Sequence, residues 1–160
     1  CKQSKESCEE YLYRWYSRRP ELASCTTSMR GIDWLAANVR HCSLEIHAIP
    51  QKMEFDGECM QCYGLTAWGC EKPLGEVTGL DSCVLRCVAR QLELYTVLRD
   101  AAILVESDNL KRIAFRCHGG THRSVAVSFL FIALLYPRAS FHAHTRRVAN
   151  AADYALTKCR

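Results

Sequence analysis

The chain has 160 residues, 49% of them hydrophobic and 24% charged, with a formal net charge of +4. That length supports one domain with its own core, so folding needs neither metal nor disulfides. The composition excludes a fibrous, low-complexity or disulfide-scaffold protein.

Charge is unevenly placed along the chain. Residues 1–114 carry 14 Lys/Arg against 16 Asp/Glu, whereas residues 115–160 carry 7 against 1 together with four of the six histidines. This asymmetry fits an anionic partner on the C-terminal side, a small molecule or RNA, and equally a solvated basic face. Eleven cysteines, an odd number, accompany no stretch that reads as a secretory signal or membrane span. Reduced thiols in an intracellular compartment are therefore expected, with no membrane partner. Cys59-Met60-Gln61-Cys62, with Cys70 nearby, has metal-like spacing, and Cys83 and Cys87 lie four apart on a predicted helix. Because no second pair follows at finger spacing, scattered thiols are the preferred reading, and neither a metal nor another cofactor is expected.

In chain order, residues 5–19 carry an apolar stripe at helical spacing (Cys8, Tyr11, Leu12, Trp15, Tyr16), and residues 32–39 suit a second short helix. Residues 1–42 thus form a helical extension whose expected role is to pack on the sheet or on another subunit of an assembly. Residues 43–160 form the main domain. Its first strand, residues 44–49, alternates Leu44, Ile46 and Ala48 with Glu45, His47 and Ile49, and makes His47 a sheet-surface residue. A glycine-punctuated stretch, residues 51–79, leads into Thr78-Gly79-Leu80-Asp81 and a long helix from residue 82 to about 105 that Asp81 can cap.

The most informative segment is residues 111–136, KRIAFRCHGGTHRSVAVSFLFIALLY. Residues 111–116 read as a strand, residues 117–124 as a glycine turn, and residues 125–136 as a helix apolar enough to be buried, with Ser124 as N-cap. A final strand, residues 139–146, places His142, His144 and Arg146 on one face, and a helix over residues 148–159 closes the chain. The expected fold is α/β, three layers with a mostly parallel sheet and helices on both faces, plus the helical N-terminal extension. In such a fold the loop after residue 116 and the end of the last strand meet at one edge, which brings His144 and Arg146 to the loop.

A strand feeding a glycine loop that opens on a helix N-terminus is an anion-binding design. The candidate ligand-binding residues are His118, Gly119, Gly120, Thr121, His122, Arg123, Ser124, His144 and Arg146, and the expected ligand bears phosphate. A catalytic alternative has Cys117 as nucleophile, with its thiol pKa lowered by Arg123 and the helix terminus, and Asp81 as general acid. Cys117, Gly120, Arg123 and Ser124 match the C-x2-G-x2-R-S pattern of cysteine-dependent phosphatase loops, although Arg116 replaces the histidine usual before the cysteine.

The decapeptide Arg116-Cys-His-Gly-Gly-Thr-His-Arg-Ser-Val125 also resembles the GCTGGxHRSV segment of the C-terminal domain of the RapZ family. Leu44-Glu45-Ile46-His47-Ala48-Ile49-Pro50 is similar to that domain's opening strand, and Thr78-Gly79-Leu80-Asp81 matches its TGLD segment. The resemblance spans residues 43 to about 148. It implies a phosphosugar-like ligand on Gly119, Gly120, His122, Arg123 and Ser124, and a regulatory or adaptor role connected with RNA. This chain departs from the family at His118, where the family has threonine, and residues 1–42 have no counterpart in it.

Overall fold

The structure, a computed structural model, describes residue 39 and residues 43–67 and 72–149. Four short extended runs, β1 (Glu45–Pro50), β2 (Glu58–Gln61), β3 (Arg112–Cys117) and β4 (Ser140–Ala143), pair in the order β2-β3-β1-β4, and every pairing is parallel. The described residues also hold the helices α1 (Ser82–Ala89), α2 (Leu92–Asp108) and α3 (Arg123–Leu134), and a helical turn at residues 146–149. The protein is thus α/β with an all-parallel sheet, and β1 lies between β3 and β4.

Register and pleat decide which side chains meet. Ile46 aligns with Ile113 and Phe141, and Ala48 with Phe115 and Ala143, so one face of the sheet is apolar. The helices cover that face, burying Val84, Val88, Leu98, Val105, Val127, Leu130 and Phe131 in the core with Ile46, Ile113 and Phe115. Phe131 meets Phe115 edge-on, with ring centroids 5.1 Å apart. Each such large side chain contributes about 1.5–3 kcal/mol by leaving water. No described helix is long and apolar enough to cross a membrane.

The other face carries Glu45, His47, Arg112, Arg116 and His142. Over it runs the connection from β1 to β2, residues 51–57, which returns along the sheet without a helix. Phe55 sits against His47 with ring centroids 4.9 Å apart, Arg116 Nη2 donates to the Met53 carbonyl at 2.9 Å, and Arg112 pairs with Asp56. The N-terminal helices expected over residues 1–42 lie outside the described residues, as does most of the helix expected at residues 148–159.

Several boundaries differ from the sequence expectation. The helix expected from residue 82 to about 105 is divided at Gln91, whose backbone is extended (φ −89°, ψ 131°). The Gln91 side chain donates through Nε2 to the Thr66 and Cys87 carbonyls, each at 2.8 Å, and accepts from the Thr66 N–H at 2.7 Å. Those bonds tie the break to a loop 25 residues away, and no proline or glycine marks it in sequence. The third strand ends one residue later than expected and includes Cys117, because Cys117 pairs with Pro50. The last strand stops at Ala143 because a helical turn begins at residue 146.

Gly79 lets backbone touch backbone. A Cβ on Gly79 meets the His122 carbonyl oxygen at 2.2 Å and the Ala126 nitrogen at 2.5 Å, whereas a Cβ on Gly64 meets nothing within 4 Å. Gly79→Ala should therefore cost about 1–3 kcal/mol in denaturant unfolding, while Gly64→Ala stays within about 0.5 kcal/mol of the parent. Equal stabilities for the two variants would refute the tight contact between the Thr78–Asp81 turn and α3.

Candidate functional site

Parallel strands place all their carboxyl ends on one edge, and there residues 117–124 turn from β3 into α3. Gly120 makes the turn with φ +64°, a conformation that L side chains rarely adopt. It also lies against β1: an added Cβ would be 2.5 Å from the Pro50 nitrogen. The Gln51 N–H donates to the His118 carbonyl at 3.2 Å, and His118 Nδ1 bonds Gln51 Oε1 at 2.9 Å. Gly119 and His118 are exposed, and an added Cβ on Gly119 comes no nearer than 3.9 Å to Thr121 Oγ1. The outer side of the turn is open.

The side chains of the turn mostly hold it in place. His122 Nε2 reaches the carbonyls of Leu74 and Val77, at 2.8 and 2.9 Å, and since carbonyls only accept, that nitrogen carries the proton. Arg123 Nη1 donates to the carbonyls of Tyr63 and Leu65, at 3.2 and 3.0 Å. The Nε and Nη2 edge of the guanidinium stands outside this tether. Thr121 donates its hydroxyl to the Gly119 carbonyl at 3.1 Å, and the Gly79 N–H donates to the Thr121 carbonyl at 2.8 Å.

Cys117 occupies the centre of the turn. Its thiol is buried, 2% exposed for the residue, and Sγ lies 3.2 Å from Ser124 Oγ in a hydrogen bond. Burial pushes the thiol pKa up, but the Ser124 hydroxyl and the N–H groups of Ser124, Gly120 and His122 outweigh it and hold the thiol below its ordinary value. Cys62, at the end of β2, is the contrast: burial and then the neighbouring Cys117 push its thiol far up. Ser124 does not cap α3 as its sequence position predicts. His122 occupies the N-cap position and Ser124 is the second helical residue, its hydroxyl turned to the thiol.

The structure brings Cys117 through Ser124 together, and the other predicted residues have partners of their own or are exposed. Asp81 stands at the N-cap of α1, yet its carboxylate makes no bond to that helix; Oδ2 accepts from the Thr78 N–H at 2.6 Å and hydroxyl at 3.1 Å. His144 reaches back over the polar face and bonds His47, Nε2 to Nδ1, at 2.8 Å. Arg146 is exposed in the helical turn that follows β4. Among the described residues, Cys59, Cys62, Cys83 and Cys87 are reduced and do not gather into a metal-ligating group, and Cys70 lies outside the described residues.

Sequence reasoning passed over Gln51 and the carbonyls of Tyr63, Leu65, Leu74 and Val77, all of which position the turn. Backbone carbonyls carry no residue signal, so only the fold reveals them. The fold and this turn define an α/β protein with an all-parallel sheet and an N–H cradle at its carboxyl edge. Comparison with protein-family models, curated proteins and solved structures finds no match.

The cradle predicts a thiolate formed at lower pH than in an ordinary cysteine. The thiolate absorbance that differs between the protein and Cys117→Ser should titrate below the free-thiol value, and Ser124→Ala should move that midpoint upward. The folded thiol releases its proton more readily than the unfolded one. Its contribution to stability is therefore complete above the unfolded pKa and lost as pH falls through the lowered one. A midpoint at or above the free-thiol value would mean that burial prevails over the hydrogen bonds.

Proposed function

We propose that the protein binds a phosphate-bearing ligand at residues 117–124, in a regulatory or adaptor role and without turnover. The observation that carries this reading is that the glycine turn, exposed at His118 and Gly119, opens on the N-terminus of α3, where the Gly120, His122 and Ser124 N–H groups gather around the Cys117 thiol at the floor of the turn. Amide donors aimed at one point, at the positive end of a helix dipole, favour an anion with tetrahedral oxygens. Gly119 gives access from solvent, and the Nε and Nη2 edge of Arg123 supplies a fork suited to phosphate. The RapZ-like segment supports a phosphosugar as the small ligand. RNA phosphate is the polymeric version of the same chemistry, and its affinity would fall steeply with added salt.

A second reading, a cysteine-dependent phosphatase, is favoured by one observation, the Cys117 thiol held below its ordinary pKa beside Ser124. In that reaction the Cys117 thiolate forms a bond to phosphorus as the ester oxygen leaves with a proton, and water then releases phosphate from sulfur. The proton donor is what the reading lacks. The Asp81 carboxylate is already bonded to Thr78, and as an acceptor from an N–H it is suited to holding the turn.

Thermal unfolding in phosphate, sulfate and a hexose phosphate tests the binding reading, with chloride as the control. A ligand at 100 times its Kd adds about 2.7 kcal/mol to the folded state, a clear rise in Tm. Arg123→Ala should lose most of the rise and Cys117→Ser should keep it. A full rise in Arg123→Ala would place the phosphate elsewhere, and aryl phosphate hydrolysis abolished by Cys117→Ser would make the phosphatase reading the correct one.

A further inference from the structure

The polar face of the sheet holds a second cluster, independent of the glycine turn. His47 on β1 and His142 on β4 are register partners, and Glu45 precedes His47 by two residues on the same face. One ligand atom from each of Glu45, His47 and His142 lies within 4.8 Å of the other two. His47 Nε2 is buried and has no hydrogen-bond partner. The nearest charged group is the Glu45 carboxylate, whose Oε2 stands 3.6 Å away, too far for a hydrogen bond.

The other His47 nitrogen explains what Nε2 is for. Nδ1 lies 2.8 Å from His144 Nε2. When Nδ1 carries the proton and donates to His144, Nε2 is left with a lone pair aimed at a site that offers it no donor. Leaving a buried acceptor unpaired is unfavourable, and a cation removes that cost. Metal-bound histidines are held in the same way, with the second ring N–H given to a neighbouring acceptor.

The distances suit a shared ion. Two ligands at about 2.1 Å from a tetrahedral centre lie about 3.4 Å apart, close to the observed 3.6 Å between Glu45 Oε2 and His47 Nε2. His142 Nε2 bonds Ser140 Oγ at 3.0 Å, which leaves Nδ1 as its donor atom. The two rings are stacked, 14° from parallel with centroids 4.6 Å apart, and imidazole lone pairs lie in the ring plane. Joint coordination would require the exposed His142 ring to turn out of the stack and bring Nδ1 onto the ion. Arg112, the register partner of Glu45, is occupied by Asp56 and the Phe55 ring and does not neutralise the carboxylate.

We propose that Glu45, His47 and His142 bind a divalent late first-row transition-metal ion of the zinc class, with His144 as the positioning residue that fixes the His47 tautomer. The ligand set is nitrogen and oxygen, which favours zinc, cobalt, nickel or copper over calcium and magnesium. The ion joins β1 to the edge strand β4. Cys59 lies two strands away in the same row, beyond Ala114, and takes no part.

Cobalt titration of the reduced protein tests the site, because an imidazole and carboxylate set gives visible d–d absorption without a sulfur-to-cobalt charge-transfer band. Binding should be unchanged in Cys59→Ser. His142→Ala, an exposed position that should fold, should weaken it at least about tenfold, and His144→Ala by about 10–100-fold. With zinc, nitrogen NMR of the His47 ring should show Nε2 metal-bound and Nδ1 protonated. Absence of binding, a charge-transfer band, unchanged affinity in His142→Ala, or an unperturbed His47 ring would each overturn the assignment.

Discussion

The arrangement depends on close backbone contact at the carboxyl edge of the sheet. Gly79 lies against the first turn of α3 and Gly120 against Pro50, and neither position has room for a side chain. Together they press three segments that are remote in sequence, the end of β1, the turn after β3 and the turn before α1, into one surface. Interiors are close-packed and yield little, so a single methyl group there must displace backbone. The amide cradle around Cys117 follows from that compression, because the direction of each N–H is set by the path of the chain.

The side chains of the turn act largely as struts. His122 and Arg123 reach outward to four carbonyls on the loops before α1, each satisfying acceptors that would otherwise be stranded on irregular backbone. What faces the thiol is mainly main chain. Under the binding reading proposed above, an anion held by amides would be recognised by shape and charge, without the chemistry of the cysteine at its floor.

The sheet has two unlike faces because its connections differ. Two of the three returns use helices and bury the Ile46, Ile113 and Phe115 side. The return from β1 to β2 is seven residues of loop, residues 51–57, and it leaves Glu45, His47, Arg112, Arg116 and His142 on a face of polar groups. Arg112 and Arg116 are taken up by that loop. His47 is stacked on His142 and bonded through Nδ1 to His144, and its Nε2 has no hydrogen-bond partner.

Much of this was legible in the sequence. Alternation in residues 44–49 and 111–116, the two glycines at 119 and 120, and an apolar run after Ser124 determine strand, turn and buried helix, because each pattern follows from the local geometry of the chain. The α/β class and the location of the glycine turn follow from the same local order. Pairing order, and with it everything that depends on which strand is neighbour to which, was decided only in three dimensions. His144 was expected at the turn from its place near a strand end, but β1 lies between β3 and β4, and His47 in the middle of β1 takes its side chain instead. Gln91 breaks a helix through a partner 25 residues away, and Ser124 gives its hydroxyl to a thiol instead of to the helix. A sequence states which residues can donate or accept; which partner each finds is set by long-range packing, and that information is absent from any local pattern.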